Sequence, residues 1–201
     1  MPLVKATLQA NLFTAFDAMN NITDDSGNTY MAEKVAKAIS DYIKTGTVTS
    51  VDAGTASDSG VYAGAGTGTM EIAESTLKSN LETTFKAKYE NDDLATHIAS
   101  DIDTVCSASN TCSTDTTGTS TIPSSPPKPA SGKGKGTFTG VKATIETKLK
   151  SCFASMNNMA DGGNMYLATE WADAVDSYMK AGTIVITLQP PMSGSGSGVI
   201  Q

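Results

Sequence analysis

Ala6-Thr7-Leu8-Gln9-Ala10-Asn11-Leu12-Phe13-Thr14-Ala15-Phe16 opens a pattern that the chain writes three times. Its apolar anchors Leu8, Leu12 and Phe16 return as Leu77, Leu81 and Phe85, and again as Ile145, Leu149 and Phe153. A spacing of i, i+4, i+8 places each trio on one stripe of a helix. A second run, Met31-Ala32…Val35-Ala36…Ile39…Tyr42, returns as Leu94-Ala95…Ile98-Ala99…Ile102…Val105 and as Leu167-Ala168…Trp171-Ala172…Val175…Tyr178. Each copy closes on alternating glycines: Gly64, Gly66, Gly68; Gly132, Gly134, Gly136; Gly194, Gly196, Gly198. Self-similarity at a fixed period marks a building block rather than a lone pocket. It divides the 201 residues into units 1–70, 71–138 and 139–201. A domain of about 60 residues buries only ~60% of its unfolded surface, so each unit should lean on its neighbours or on other chains.

Within the first unit, Asn20 to Asn28 is dense in turn-forming residues and should join two antiparallel helices, the first opened by Thr7 or a nearby polar cap. The second helix carries Met31, Val35, Ile39 and Tyr42 on one stripe, with Ala32, Ala36 and Ala38 permitting a close crossing. It should stop at Gly46, as its counterpart should at Gly182. Thr47–Val51 and Thr183–Leu188 then read as strands, and the glycines lie on the returning strand of a hairpin, all on one face by its two-residue period. Repeated glycine there implies a neighbour too close to admit a methyl group, supplied by a helix of the same unit or by another chain. The expected class is α+β: three tandem helix-helix-β-hairpin repeats, with helices packed against short antiparallel strands. The middle unit is degenerate. Its hairpin expands into a Ser/Thr/Pro-rich stretch, 113–132, containing Pro123, Pro126, Pro127 and Pro129, whose composition suits an arm ordered against neighbouring subunits.

The chain has 14 Lys and Arg against 21 Asp and Glu, a net charge of −7, the wrong sign for a phosphate-backbone binder. No apolar run reaches the ~20 residues needed to span a bilayer, and Met1-Pro2-Leu3-Val4-Lys5 lacks the design of a secretory signal. Three cysteines cannot all pair within one chain. Cys106 and Cys112 are the candidate disulfide, with reduced thiols near a helix end as the other reading.

Ser131-Gly132-Lys133-Gly134-Lys135-Gly136-Thr137 invites a phosphate-loop reading but lacks the four-residue spacer and the following helix. Asp24, Asp25 and Asn28, echoed by Asp161 and Asn164, lack the EF-hand spacing and its distal Glu. His97 is the single histidine, so no two-histidine metal site is available. Cys152 stands where the first unit has Ala15, a packing position. Glu71, Glu74, Glu82, Asp101, Asp103, Asp173 and Asp176 fall on expected exposed helix faces, outside any concave acid–base site. No catalytic, cofactor or metal residue is assigned, and the expectation is a protein without enzymatic activity.

The words Ala154-Ser155-Met156-Asn157-Asn158-Met159, Gly163-Asn164-Met165-Tyr166-Leu167-Ala168 and Lys180-Ala181-Gly182-Thr183-Ile184, followed by Gly-x-Gly-x-Gly, resemble a repeat of small virion structural proteins of tailed bacteriophages. Ala18-Met19-Asn20-Asn21 and Lys44-Thr45-Gly46-Thr47-Val48 carry the likeness in the first unit; the middle unit carries it poorly. The resemblance implies a structural component of the tail, baseplate or neck, located in the virion. Its partners would be further copies of itself and other virion proteins, without nucleic acid or membrane insertion. The interface candidates are the nine glycines with Pro123, Pro126 and Pro127. A surface-exposed adhesin-like or glycan-binding module is the alternative.

Overall fold

The computed structural model describes every residue except Met1, Asp25, Asn158 and Ala160. The elements run helix, helix, strand, strand, three times over. They are α1 (Lys5–Met19), α2 (Ser26–Thr45), β1 (Val48–Thr55) and β2 (Val61–Met70); α3 (Glu74–Lys86), α4 (Asn91–Cys106), β3 (Cys112–Thr121) and β4 (Lys128–Thr139); α5 (Lys142–Met156), α6 (Gly163–Ala181), β5 (Thr183–Leu188) and β6 (Ser193–Ile200). The mixed α+β class holds, but the arrangement differs from helices packed on short, separate hairpins. The six strands pair antiparallel in chain order and β6 returns to β1, closing one barrel. The helices likewise pack each on the next, with α6 against α1, and α2 lies against β2 and α6 against β6. A ring of helices therefore sits on a barrel, and closure leaves no unpaired strand edge to attract other chains.

The joint between the layers is apolar. Val48, Met70, Cys112, Phe138, Ile184 and Ile200, one from each strand, plug the helix-side end of the barrel and belong to the same core as the helix stripes. The anchors Leu8, Leu12, Phe16, Val35, Ile39, Leu149, Phe153 and Trp171 are all buried in that core. Helix ends are set by packing more than by capping. The residue before α1 is Val4, which offers no side-chain cap; its carbonyl accepts from the Thr7 and Leu8 amides instead. Gly182 after α6 is extended (φ −75°, ψ 158°), not left-handed. Its missing side chain makes room for the Phe138 ring, as Gly46 does for Leu3 and Ile200.

The barrel explains the glycines. Eight strands give an interior just wide enough for side chains to fill, so six strands give less room. Inward positions on β2, β4 and β6 are accordingly glycine along most of their length, and β1, β3 and β5 supply the filling. Ser50 and Asp52 face Gly66 and Gly64, Thr114 and Thr116 face Gly134 and Gly132, and Ile184 and Ile186 face Gly198 and Gly196. The close neighbour is thus an adjacent strand of the same chain. A methyl group at Gly68 would strike the Ser113 carbonyl, and one at Gly136 would meet the Ile186 and Ile184 side chains.

The expected arm 113–132 is corrected by the same geometry. Most of it is strand: β3 pairs with β2 along Cys112–Thr121, and β4 begins at Lys128. Only 122–127 form the connecting turn. Ladder hydrogen bonds order this Ser/Thr-rich sequence, and no neighbouring subunit is required. Its inward residues Cys112, Thr114, Thr116 and Ser120 are buried while the alternate positions are exposed.

Candidate functional site

The outer face of the barrel is the most distinctive surface. Outward residues are Thr49, Val51, Ala53 and Thr55 on β1, and Val61, Ala63, Ala65, Thr67 and Thr69 on β2. On β5 they are Thr183, Val185 and Thr187, and on β6 Ser193, Ser195, Ser197 and Val199. These four strands are contiguous in the order β5-β6-β1-β2, and none of their outward residues is charged. Val51 is 74% exposed, Val61 69% and Val185 58%. The remaining two strands differ: Asp115 faces Lys133 in register, and Lys135 lies two residues along. A recess of about 730 Å³ beside them gathers Asp115, Lys133, Lys135 and Gln189. The barrel therefore has an uncharged wall of small and β-branched side chains and a polar, charged back. Such short side chains lose little rotamer freedom on contact.

The proposed interface residues separate into two groups. The nine glycines of the alternating sets have the inward parity of their strands and their close neighbours belong to this chain; Gly66, Gly134 and Gly136 are buried, Gly194 at the start of β6 is exposed, and the other five are half-buried. Pro123, Pro126 and Pro127 lie exposed on the β3–β4 turn, at the barrel end remote from the helices. Cys106 and Cys112 are free thiols, both buried, and the candidate disulfide is not formed. Burial pushes the Cys112 thiol up to about 11 and Cys152 to about 12, and raises Cys106 further, which removes thiolate character from all three.

The helix ring holds polar contacts that sequence reading places in solvent. Tyr42 donates to Asp176 at 2.6 Å and Lys180 to the same carboxylate at 2.9 Å. Tyr178 donates to Asp103 at 2.7 Å, and Thr84 donates to Asp101 at 2.7 Å. Asp176 is buried, and Asp101 and Asp103 are half-buried, which corrects the expectation that these carboxylates are solvated. Burial holds the Asp101 carboxyl above its ordinary range, only partly offset by the Thr84 hydroxyl. Asp24 accepts from the Ser26 amide and hydroxyl at the start of α2, which lowers its carboxyl and explains it as a turn residue; Asp25 lies outside the described residues. His97 is exposed and stacks on Tyr89, with ring centroids 4.0 Å apart. Trp171 packs edge-on against Phe16 as part of the core.

At the mouth of the ring away from the barrel, Phe16, Met31, Phe85, Leu94, Phe153 and Trp171 line an apolar cup of about 290 Å³. Among the described residues no group of three His, Cys, Asp or Glu converges as a metal would require, and no helix is long and apolar enough to cross a membrane. Set beside known protein families, curated proteins and solved structures, the chain matches none.

Proposed function

We propose that the protein is a structural component of a bacteriophage particle, in the tail, baseplate or neck, and acts through protein–protein contacts. In this reading the three helix-helix-hairpin units form one closed ring with approximate threefold symmetry. The supporting pattern is the recurrence of contacts at positions that sequence alignment equates. Lys78 meets Glu33 at 2.9 Å, Thr96 meets Glu146 at 2.9 Å, and Gln9 meets Thr169 at 2.8 Å. In each pair the first-helix residue of one unit touches the second helix of the unit before it. The similarity holds for the helix pairs, while the barrel beneath them is one-sided in charge.

The observation that carries the assembly role is the uncharged wall of β5-β6-β1-β2, with its exposed valines. Depletion of charge is one compositional mark of an interface centre; aromatic, Met and Arg enrichment, the other mark, is missing from this wall, so the support comes from the missing charge and the exposed valines. A glycan-binding wall would display aromatic rings for stacking. Among the described residues the barrel's aromatic side chains, Tyr62 and Phe138, are both buried within it, so the glycan reading has less support.

Particles purified from the source lysate should contain the chain at a fixed copy number. A Val51→Lys, Val61→Lys double variant supplied in trans should keep a native circular dichroism spectrum, since exposed strand substitutions cost within about 0.5 kcal/mol each. It should nevertheless be excluded from particles. Absence of the chain from purified particles, or full incorporation of the lysine variant, overturns the proposal.

A further inference from the structure

The mouth of the helix ring is left unfinished in both apolar surface and charge. Its cup of about 290 Å³ is lined from aligned positions of the three sequence repeats: Phe16, Phe85 and Phe153 from the first helices, and Met31, Leu94 and Leu167 from the second. Trp171 adds to the wall; it is 3% exposed, and its indole Nε1 is buried without an acceptor among the described residues. A cavity of about 150 Å³ lined by Leu, Ile and Phe takes benzene, so this cup has room for two bulky apolar side chains. Met19 lines it together with Met31, and unbranched thioether chains adapt their shape to what enters.

Charge divides the ring at the same place. On its flanks Glu33, Asp41, Glu82, Glu146, Asp173 and Asp176 are each answered by a lysine at 2.9 Å or closer. On the interhelix turns at the mouth and the helix ends beside them, Asp17, Asp24, Glu90, Asp92, Asp93 and Asp161 are exposed. Among the described residues none of these six is in an ion pair. Asp92 and Asp93 also suit the first turn of α4, and Asp24 its turn, yet these roles leave the charges unneutralised. The cations nearby answer them poorly. Lys86 is held by Glu82, and Lys150, held by Glu146, acts on Asp92 and Asp93 only through space, which leaves Lys88 on the cup's rim. We propose that the cup is a docking site for a basic segment of a partner protein. Two bulky apolar side chains of that segment fill the cup, and flanking lysines or arginines meet Asp17, Glu90, Asp92, Asp93 and Asp161. Anchors four residues apart on a helix have the spacing by which amphipathic helices enter apolar grooves. A second copy of the chain is disfavoured in the cup, because two mouths brought face to face oppose their carboxylates. The site lies at the end of the ring away from the barrel, so it depends neither on the uncharged wall nor on a place in a particle.

Trp171 is the single tryptophan of the chain, so its emission reports on the cup directly. The full chain is titrated at low salt with a short acetylated and amidated peptide that carries Phe and Leu four residues apart among lysines. Emission should change saturably, with half-saturation below about 1 mM, and binding should weaken as salt is added. Replacing the peptide's Phe and Leu by Ala should weaken binding at least about a hundredfold, and replacing its lysines by Glu should abolish it. In the protein, Asp92→Asn with Asp93→Asn changes exposed residues, so the circular dichroism spectrum should be kept while affinity falls roughly three- to tenfold. No saturable change below about 1 mM overturns the proposal, as does equal binding of the Ala or the Glu peptide, or unchanged affinity in the double variant. Self-association of the free chain that the lysine peptide displaces also overturns it, because a second copy then occupies the cup.

Discussion

One position in the helix ring lacks a contact that its two counterparts possess, and this predicts a double substitution. Aligned second helices equate Ser40, Asp103 and Asp176 at one site and Tyr42, Val105 and Tyr178 at another. Tyr42 donates to Asp176 and Tyr178 to Asp103, so the remaining combination is Val105 with Ser40. Among the described residues Ser40 Oγ is buried without a partner, as expected of an acceptor position whose donor is missing. Lys44 lies four residues after Ser40, as Lys180 lies four after Asp176 and pairs with it at 2.9 Å. Ser40→Asp alone buries a carboxylate with only Lys44 to answer it and should cost about 3 kcal/mol. Val105→Tyr alone brings a larger ring and a hydroxyl without a carboxylate acceptor, costing about 1–3 kcal/mol. Together they should form the third Tyr–Asp contact, and a hydrogen bond to a charged group contributes about 1.5–3 kcal/mol. Urea unfolding of the wild type, both single variants and the double variant gives the coupling directly, provided the dependence on denaturant stays constant. A favourable coupling of about 1.5–3 kcal/mol is expected. Additivity to within about 0.5 kcal/mol would mean that Val105 and Ser40 do not face each other, and the threefold equivalence of the ring would fail there.

Other perturbations probe the barrel and the buried titrating groups. Gly68→Ala drives a methyl group into the Ser113 carbonyl and should destabilise by at least about 2 kcal/mol. Gly163→Ala, whose nearest side-chain neighbour is 3.9 Å away, should stay within about 0.5 kcal/mol of wild type in the same urea assay. Because burial raises the Asp101 carboxyl, the folded state binds that proton more tightly than the unfolded chain. Its stabilising share is complete below the unfolded value near 3.8 and is lost as pH rises through the folded value. Asp101→Asn should therefore raise the melting temperature at pH 7 and leave it unchanged at pH 3; an equal gain at both refutes the assignment. Native protein at pH 8 should not react with a thiol-specific chromogenic disulfide, since Cys106, Cys112 and Cys152 are buried with raised thiols, whereas guanidinium-unfolded protein should release three equivalents.

The helices were legible because their evidence is local. Leu8, Leu12 and Phe16 announce a buried stripe through spacing alone, and all three are fully or almost fully buried. The parity of the glycines was legible for the same reason, but what they accommodate was not. That depends on β2 meeting β3, β4 meeting β5 and β6 meeting β1, and these pairings leave no periodic trace in sequence. The segment 113–132 shows how composition misleads. Prolines at 123, 126, 127 and 129 suggest a spacer, yet Cys112, Thr114, Thr116 and Ser120 alternate inward as a strand requires. Asp52 carried a similar signal. It shares parity with Val48 and Ser50, which places it on the inward face as soon as Val48 is known to be core. Asp176 carried none, because the tyrosine that buries it lies 134 residues away.

In the proposed three-unit reading, similar interfaces carry a hazard that the differing polar pairs of the helix ring oppose. If the interfaces were identical, a unit from a second molecule could replace any one of them, and chains would exchange parts into open arrays. The backbone geometry recurs, but the pairs at one equivalent position are Lys78–Glu33, Glu146–Thr96 and Gln9–Thr169. Setting Glu146 against Glu33 opposes two carboxylates, and setting Lys78 against Thr169 leaves an ammonium without its counter-charge. Like charges at a contact disfavour the wrong partner and add to the attraction that favours the right one. The covalent linkers add to this by holding each correct neighbour at high effective concentration. The surfaces along which the units tile are therefore consumed within the chain. In the proposed assembly role, contact with other molecules falls to what closure leaves outside, which includes the uncharged wall carrying Val51, Val61 and Val185.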